Sequence, residues 1–175
     1  MSSFSAFFNN KLIASGGASD VAITVRDYPG ALIFDEETGK QIDLDTRGTE
    51  EEIRARFGTP ARGPGRPKMG VTAREVTLLP RHWDWLAAQP GGASVALRKL
   101  VEAASRDPKG ARMAARDATY RFASAMAGNA VGFEEAMRAL YAGKRKTFLK
   151  HLEYWPADVR ARIEAMAQSA FKTDD

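Results

Sequence analysis

A chain of 175 residues accommodates one compact domain or two small ones. Hydrophobic residues at 44% and charged residues at 27% match a soluble globular composition and exclude wholesale disorder. The absence of cysteine excludes a disulfide scaffold, a thiol nucleophile and any cysteine-ligated zinc or iron–sulfur site. No stretch approaches the roughly 20 uncharged apolar residues of a membrane span. The segment Met1 to Asn10 has neither a basic n-region nor a long apolar h-region, so a cytoplasmic protein is expected. The net charge of +4 is unevenly spread. Residues 1–58 carry 6 Lys and Arg against 10 Asp and Glu, and residues 59–175 carry 20 against 12. An acidic front and a basic remainder suggest separate modules, with the basic part suited to phosphate backbones. Excess Lys and Arg that merely solvates helices is the other reading.

In chain order, Phe4 to Phe8 and Lys11 to Ala14 are apolar runs joined by Asn9-Asn10, which predicts a hairpin. Ser19 is placed to cap a helix carrying Val21, Ala22 and Val25, ending at Tyr28-Pro29-Gly30. Ala31 to Phe34 and Gln41 to Leu44 flank Glu37-Thr-Gly-Lys40, a second hairpin. Thr49-Glu-Glu-Glu52 has capping-box spacing and opens a short helix through Phe57. These elements make residues 1–57 a ββαββα module. Residues 58–70 are too dense in Gly and Pro for any regular element and mark a basic linker or arm.

A strand is predicted from Val71 to Leu79, with Pro80 starting a helix over Arg81 to Gln89. Pro90-Gly91-Gly92 breaks it, and Ser94 begins a second helix through Ala104. Beyond Pro108 the chain reads as all-helical over 111–172, with helices at Ala111–Ala127, Phe133–Ala142, Lys144–Tyr154 and Pro156–Phe171. Apolar residues from Phe122 to Met166 recur at helical spacing and supply a small bundle core. The expected fold class is α+β.

The segment Val71-Thr-Ala-Arg-Glu-Val-Thr-Leu-Leu-Pro80, Arg81-His-Trp-Asp-Trp-Leu-Ala-Ala-Gln89 and Gly92-Ala-Ser-Val-Ala-Leu-Arg-Lys-Leu-Val101 resembles the ribbon-helix-helix family of bacterial DNA-binding proteins. Ser94, Leu97, Arg98 and Leu100 match the opening of that family's second helix. The resemblance covers 71–106 and implies an intertwined homodimer whose paired strands enter the major groove of double-stranded DNA. Hydrophobicity sets Val76 and Leu78 inward and leaves Glu75 and Thr77 outward, whereas the family's register from Pro80 reverses both faces. An ordinary helical hairpin behind a strand is the plain alternative. In the linker, Gly65-Arg66-Pro67-Lys68 is similar to the core of an AT-hook, whose arginine lies in a narrow A·T minor groove. A merely basic, flexible linker would look much the same.

Other features point to packing or solvation. Trp83 with Leu86 is expected in the core, and Trp85 over the C-terminal helices. His82 and His151 are the only histidines and neither has a second ligand at i+4, so no metal site is expected. Glu134-Glu135 and Asp35-Glu36-Glu37 read as solvated charge, and Lys144-Arg-Lys146 reads as a solvated helix end or a phosphate contact. No nucleophile elbow, phosphate-binding loop or zinc-protease motif is present, so the protein is read as a non-enzyme without a cofactor. The whole chain, notably Gly39 to Asp45 and Arg74 to Gly92, resembles an uncharacterised bacterial family with no assigned activity.

The reading that results is a homodimeric, DNA-binding transcriptional regulator. Arg62, Arg66 and Lys68 would hold the minor groove or backbone, and Arg74, Glu75 and Thr77 would face the major groove. The backbone N–H groups of Ala93 and Ser94 would anchor a phosphate. The N-terminal module is left to a possible protein partner. The alternative is a protein-interaction or adaptor module without DNA.

Overall fold

In the computed structural model, which describes residues 3–58 and 74–171, Asn9 and Asn10 take left-handed backbone angles, φ 51° and 64°. Two successive positive φ values suit the two-residue turn whose twist matches that of paired strands, and asparagine tolerates them best after glycine. The turn joins strands β1 (Phe4–Phe8) and β2 (Lys11–Gly16), with Phe8 opposite Lys11 and a bulge where the register shifts between Ala6 and Phe7. Helix α1 (Ala18–Val25) follows, capped at Gly17 without a side-chain bond, so the expected cap at Ser19 is displaced by two residues. Strands β3 (Leu32–Asp35) and β4 (Gln41–Ile42) complete an antiparallel sheet of order β2-β1-β3-β4. The ββαββα order is closed by helix α2 (Glu50–Phe57). Its Thr49–Glu52 capping box forms, with the Glu52 N–H donating to Thr49 Oγ1 and the Thr49 N–H to Glu52 Oε2. Thr49→Ala removes one of these bonds and should lower unfolding free energy by about 1 kcal/mol, read from the urea midpoint.

The two central strands, β1 and β3, are buried on both faces. Ala6 lies opposite Ile33 and, with Val21 of α1, forms one small apolar cluster. Phe7 and Phe34 point the other way, into a larger core built on the C-terminal helices. This explains why β1 reads Phe-Ser-Ala-Phe-Phe and not a clean alternation of apolar and polar residues. Those helices are α5 (Pro108–Ala127), α6 (Phe133–Tyr141), α7 (Arg145–His151) and α8 (Ala157–Ala167), followed by a 3₁₀ turn at Gln168–Ala170. Between α2 and α5 lie α3 (Pro80–Ala87) and α4 (Gly92–Ser105). Phe122 of α5 is fully buried, with its ring 5.3 Å from that of Phe7 and 4.8 Å from that of Phe34. Most of the apolar residues expected in a helical core are buried there, whereas Tyr141 stays exposed. Its hydroxyl donates to Asp117 Oδ1 at 2.8 Å.

The compact units differ from the boundaries read in the sequence. One joins residues 3–58 to 111–171, and the other holds 74–110. The expected separation of 1–57 from 111–172 gives way because Phe7 and Phe34 have no apolar cover within the N-terminal segment. They find it on α5. Two polar links reinforce the join. The Leu12 N–H on edge strand β2 donates to Asp158 Oδ2 of α8 at 3.0 Å, and Arg121 Nη1 donates to the Thr38 carbonyl at 3.0 Å. Among the described residues, no helix is long and apolar enough to cross a membrane.

Candidate functional site

Arg62, Arg66 and Lys68 lie outside the described residues. Residues 71–73 of the expected strand do too, while residues 74–79 adopt no regular element in the single chain. This corrects the strand expected over Val71–Leu79, for a physical reason. A strand needs a ladder partner, and none pairs with residues 74–79 in this chain. Arg74, Glu75 and Thr77 are exposed; Leu78 is half-buried, but Val76 is 52% exposed in place of its expected burial.

Leu79 caps α3, with Pro80 at the first helical position, where its missing N–H costs nothing. Of the apolar residues on α3, Leu86 is buried. Trp83 is 41% exposed in place of its expected core position, and Trp85 is 52% exposed. The turn after α3 passes through Gly91 and Gly92, both at positive φ, and α4 starts at Gly92, two residues before the expected Ser94. A Cβ on Gly91 would meet the Val95 side chain at 3.1 Å, which explains why glycine occupies the cap. Ala93 and Ser94 are therefore the second and third residues of α4, where backbone N–H groups have no acceptor inside the helix. Ser94 is exposed, and its carbonyl accepts from Arg98 Nε at 3.1 Å. On α4, Ala96 is buried, whereas Leu100 and Val101 are 49% and 64% exposed.

Residues 59–110 carry 9 Lys and Arg against 4 Asp and Glu. The rest of the chain carries 17 against 18, so the positive excess belongs to the 59–110 segment.

In the other unit, sequence reading missed the contribution of the β3–β4 turn. Glu36, read as solvated charge, forms an ion pair with Arg162 of α8 at 2.9 Å, with both side chains 20% exposed. Asp35 accepts from the Glu37 N–H, the Thr38 N–H and the Thr38 hydroxyl. Burial pushes its carboxyl up, but those bonds and nearby Lys40 outweigh that and leave it below its ordinary value. Burial and the bond to Asp117 push the Tyr141 hydroxyl up to about 12. Hydrogen bonds from Arg47 hold the Asp45 carboxyl far below the usual carboxylate range. Each partner set organises a turn or a helix pairing, and the Glu36–Arg162 pair lines a shallow cleft with Glu37 and Ser169. Glu134 and Glu135 sit in the first turn of α6, where carboxylates suit the helix dipole. Among the described residues, no group of His, Asp and Glu could hold a metal ion.

These observations define a mixed α+β protein with an antiparallel four-stranded sheet and a second compact unit that holds a helical hairpin. Residues 3–167 match a family described as uncharacterised proteins conserved in bacteria (DUF2239), and the chain belongs to that family. No match was found among curated proteins or among solved structures.

Proposed function

We propose that the protein is a homodimeric DNA-binding regulator, in which residues 71–105 of two copies assemble into a ribbon-helix-helix-like unit. The observation that carries this reading is the apolar surface of the segment. Val76, Leu79, Trp83, Trp85, Leu100 and Val101 are each 41–64% exposed within about twenty-five residues, whereas Leu86 and Ala96 are its buried apolar side chains. A chain that leaves so much large apolar surface in so short a stretch is suited to a partner. A second copy supplies what each lone feature lacks: a ladder partner for residues 74–79 and a cover for the tryptophans.

The charge of the 59–110 segment supports DNA as the target, because an excess of five cations favours phosphate backbones. In this assembly Glu75 and Thr77 face the major groove, and Arg74, at the entry to the strand, reaches a phosphate at its edge. The N–H groups of Ala93 and Ser94 meet a backbone phosphate at the α4 N-terminus. The Gly65-Arg66-Pro67-Lys68 arm reaches the adjacent minor groove. The adaptor reading uses the same apolar surface for a different protein and assigns no role to the cations.

Sedimentation velocity on the full chain tests the assembly. A dimer is expected at micromolar concentration, and Val76→Pro, which removes a ladder donor, should give monomer. A wild-type chain that sediments as a monomer across that range would contradict the proposal.

A further inference from the structure

We propose that the cleft between α5 and α7 binds a small phosphate-bearing ligand, independently of any DNA bound by the 59–110 segment. The cleft measures about 490 Å³, within the size range of small-molecule sites. Four cations line it: Arg116 from α5, and Lys144, Arg145 and Lys146 from the turn and first residues of α7. Among the described residues no carboxylate lines the cleft, and no ion pair engages any of the four. Other unpaired cations of this unit, such as Lys11 and Lys150, stand singly, whereas these four line one concavity. Four like charges around one concavity repel each other and gain most from an anion carrying more than one charge.

The cleft is also shaped. Arg116 is half-buried, and its Nε donates to the Ala170 carbonyl at 3.2 Å, which fixes the plane of the guanidinium. Gly143, at φ 70°, turns the chain from α6 into α7, and a Cβ there would come within 3.4 Å of Arg116 Nη2. The guanidinium is thus held against the turn that carries the three other cations, 28 residues or more along the chain. Its planar fork suits phosphate oxygens, and the lysines add mobile point charges. Phe171, packed on Phe148 with ring centres 5.5 Å apart, supplies an apolar wall for the rest of the ligand.

Isothermal titration of the full chain with inorganic pyrophosphate at about 0.15 M ionic strength tests the site. Saturable binding is expected, with a melting temperature that rises with pyrophosphate concentration. Arg116→Gln should weaken binding about tenfold or more. That variant loses its bond to Ala170, so the double variant K144Q/K146Q, at two exposed positions, provides the same test without touching the core. Lys11→Gln and Lys150→Gln, exposed cations away from the cleft, should leave affinity within about twofold. The proposal is overturned by absence of saturable binding, by equal losses in the Lys11 and Lys150 variants, or by displacement of pyrophosphate by duplex DNA. Binding that survives K144Q/K146Q unchanged overturns it as well. The sedimentation result for the proposed dimer bears on none of these outcomes.

Discussion

Phe122→Ala should lower the unfolding free energy by about 3–5 kcal/mol, the range for emptying a buried phenylalanine site. Phe122 is fully buried and touches both aromatic residues that the sheet directs at the helices. No neighbouring side chain can fill the space, because Phe7 and Phe34 are fixed by backbone pairing in β1 and β3. The loss falls on the joint between the N-terminal sheet and the helical core, so both should unfold in one transition. Urea unfolding followed by far-ultraviolet circular dichroism and by the fluorescence of Trp155, in a chain with Trp83 and Trp85 replaced by phenylalanine, checks this. Coincident curves with a lowered midpoint are expected, whereas loss of only one signal would mean that the sheet and the helices are separate modules.

Gly39→Ala should have an effect of similar size from a single methyl group. Gly39 holds φ 66° in the β3–β4 turn, and a Cβ there would fall on the Ala118 carbonyl oxygen of α5. Backbone cannot swing aside as a side chain can. The turn must therefore lift off α5, straining the bond between Arg121 and the Thr38 carbonyl. A cost of about 3 kcal/mol is expected. Gly30→Ala is the matched control, because Gly30 has φ 87° but open space around its missing Cβ. It should cost about 1–2 kcal/mol, the conformational part alone. Equal losses for the two variants, measured by urea midpoint, would remove the packing argument.

The local elements were legible because their signals are local. Asn9-Asn10 is a turn by its own conformational preferences, and Thr49 with Glu52 form a capping box three residues apart. The partner of the sheet was not legible. Nothing in Phe4 to Phe8 tells which apolar surface more than a hundred residues away covers Phe7, and the linker encouraged a boundary exactly where the chain leaves one unit and later returns to it. The segment at 71–79 failed for a different reason. Its alternating pattern describes a strand, but pattern alone does not provide a partner within the same chain. Trp83 followed the same course, since its spacing from Leu86 signals burial without naming the surface that buries it. Arg116 carried no signal at all, because only the fold brings it to Lys144 and its neighbours.

DNA binding is tested most directly by a fluorescence-anisotropy titration of the full chain on labelled duplexes at two salt concentrations. If the arm and the helix hairpin engage phosphates, affinity falls steeply as salt rises, with a slope set by the number of contacts. Arg66→Ala should weaken binding by roughly 1–3 kcal/mol, more on duplexes with A·T flanks than with G·C flanks, because the narrow groove attracts the arginine. Lys68→Ala, acting on phosphate alone, should weaken every duplex alike and reduce the salt slope by about one. Equal affinities for wild type and both variants on every duplex, or an absence of binding at the lower salt concentration, would contradict the account and leave the apolar surface to a protein partner.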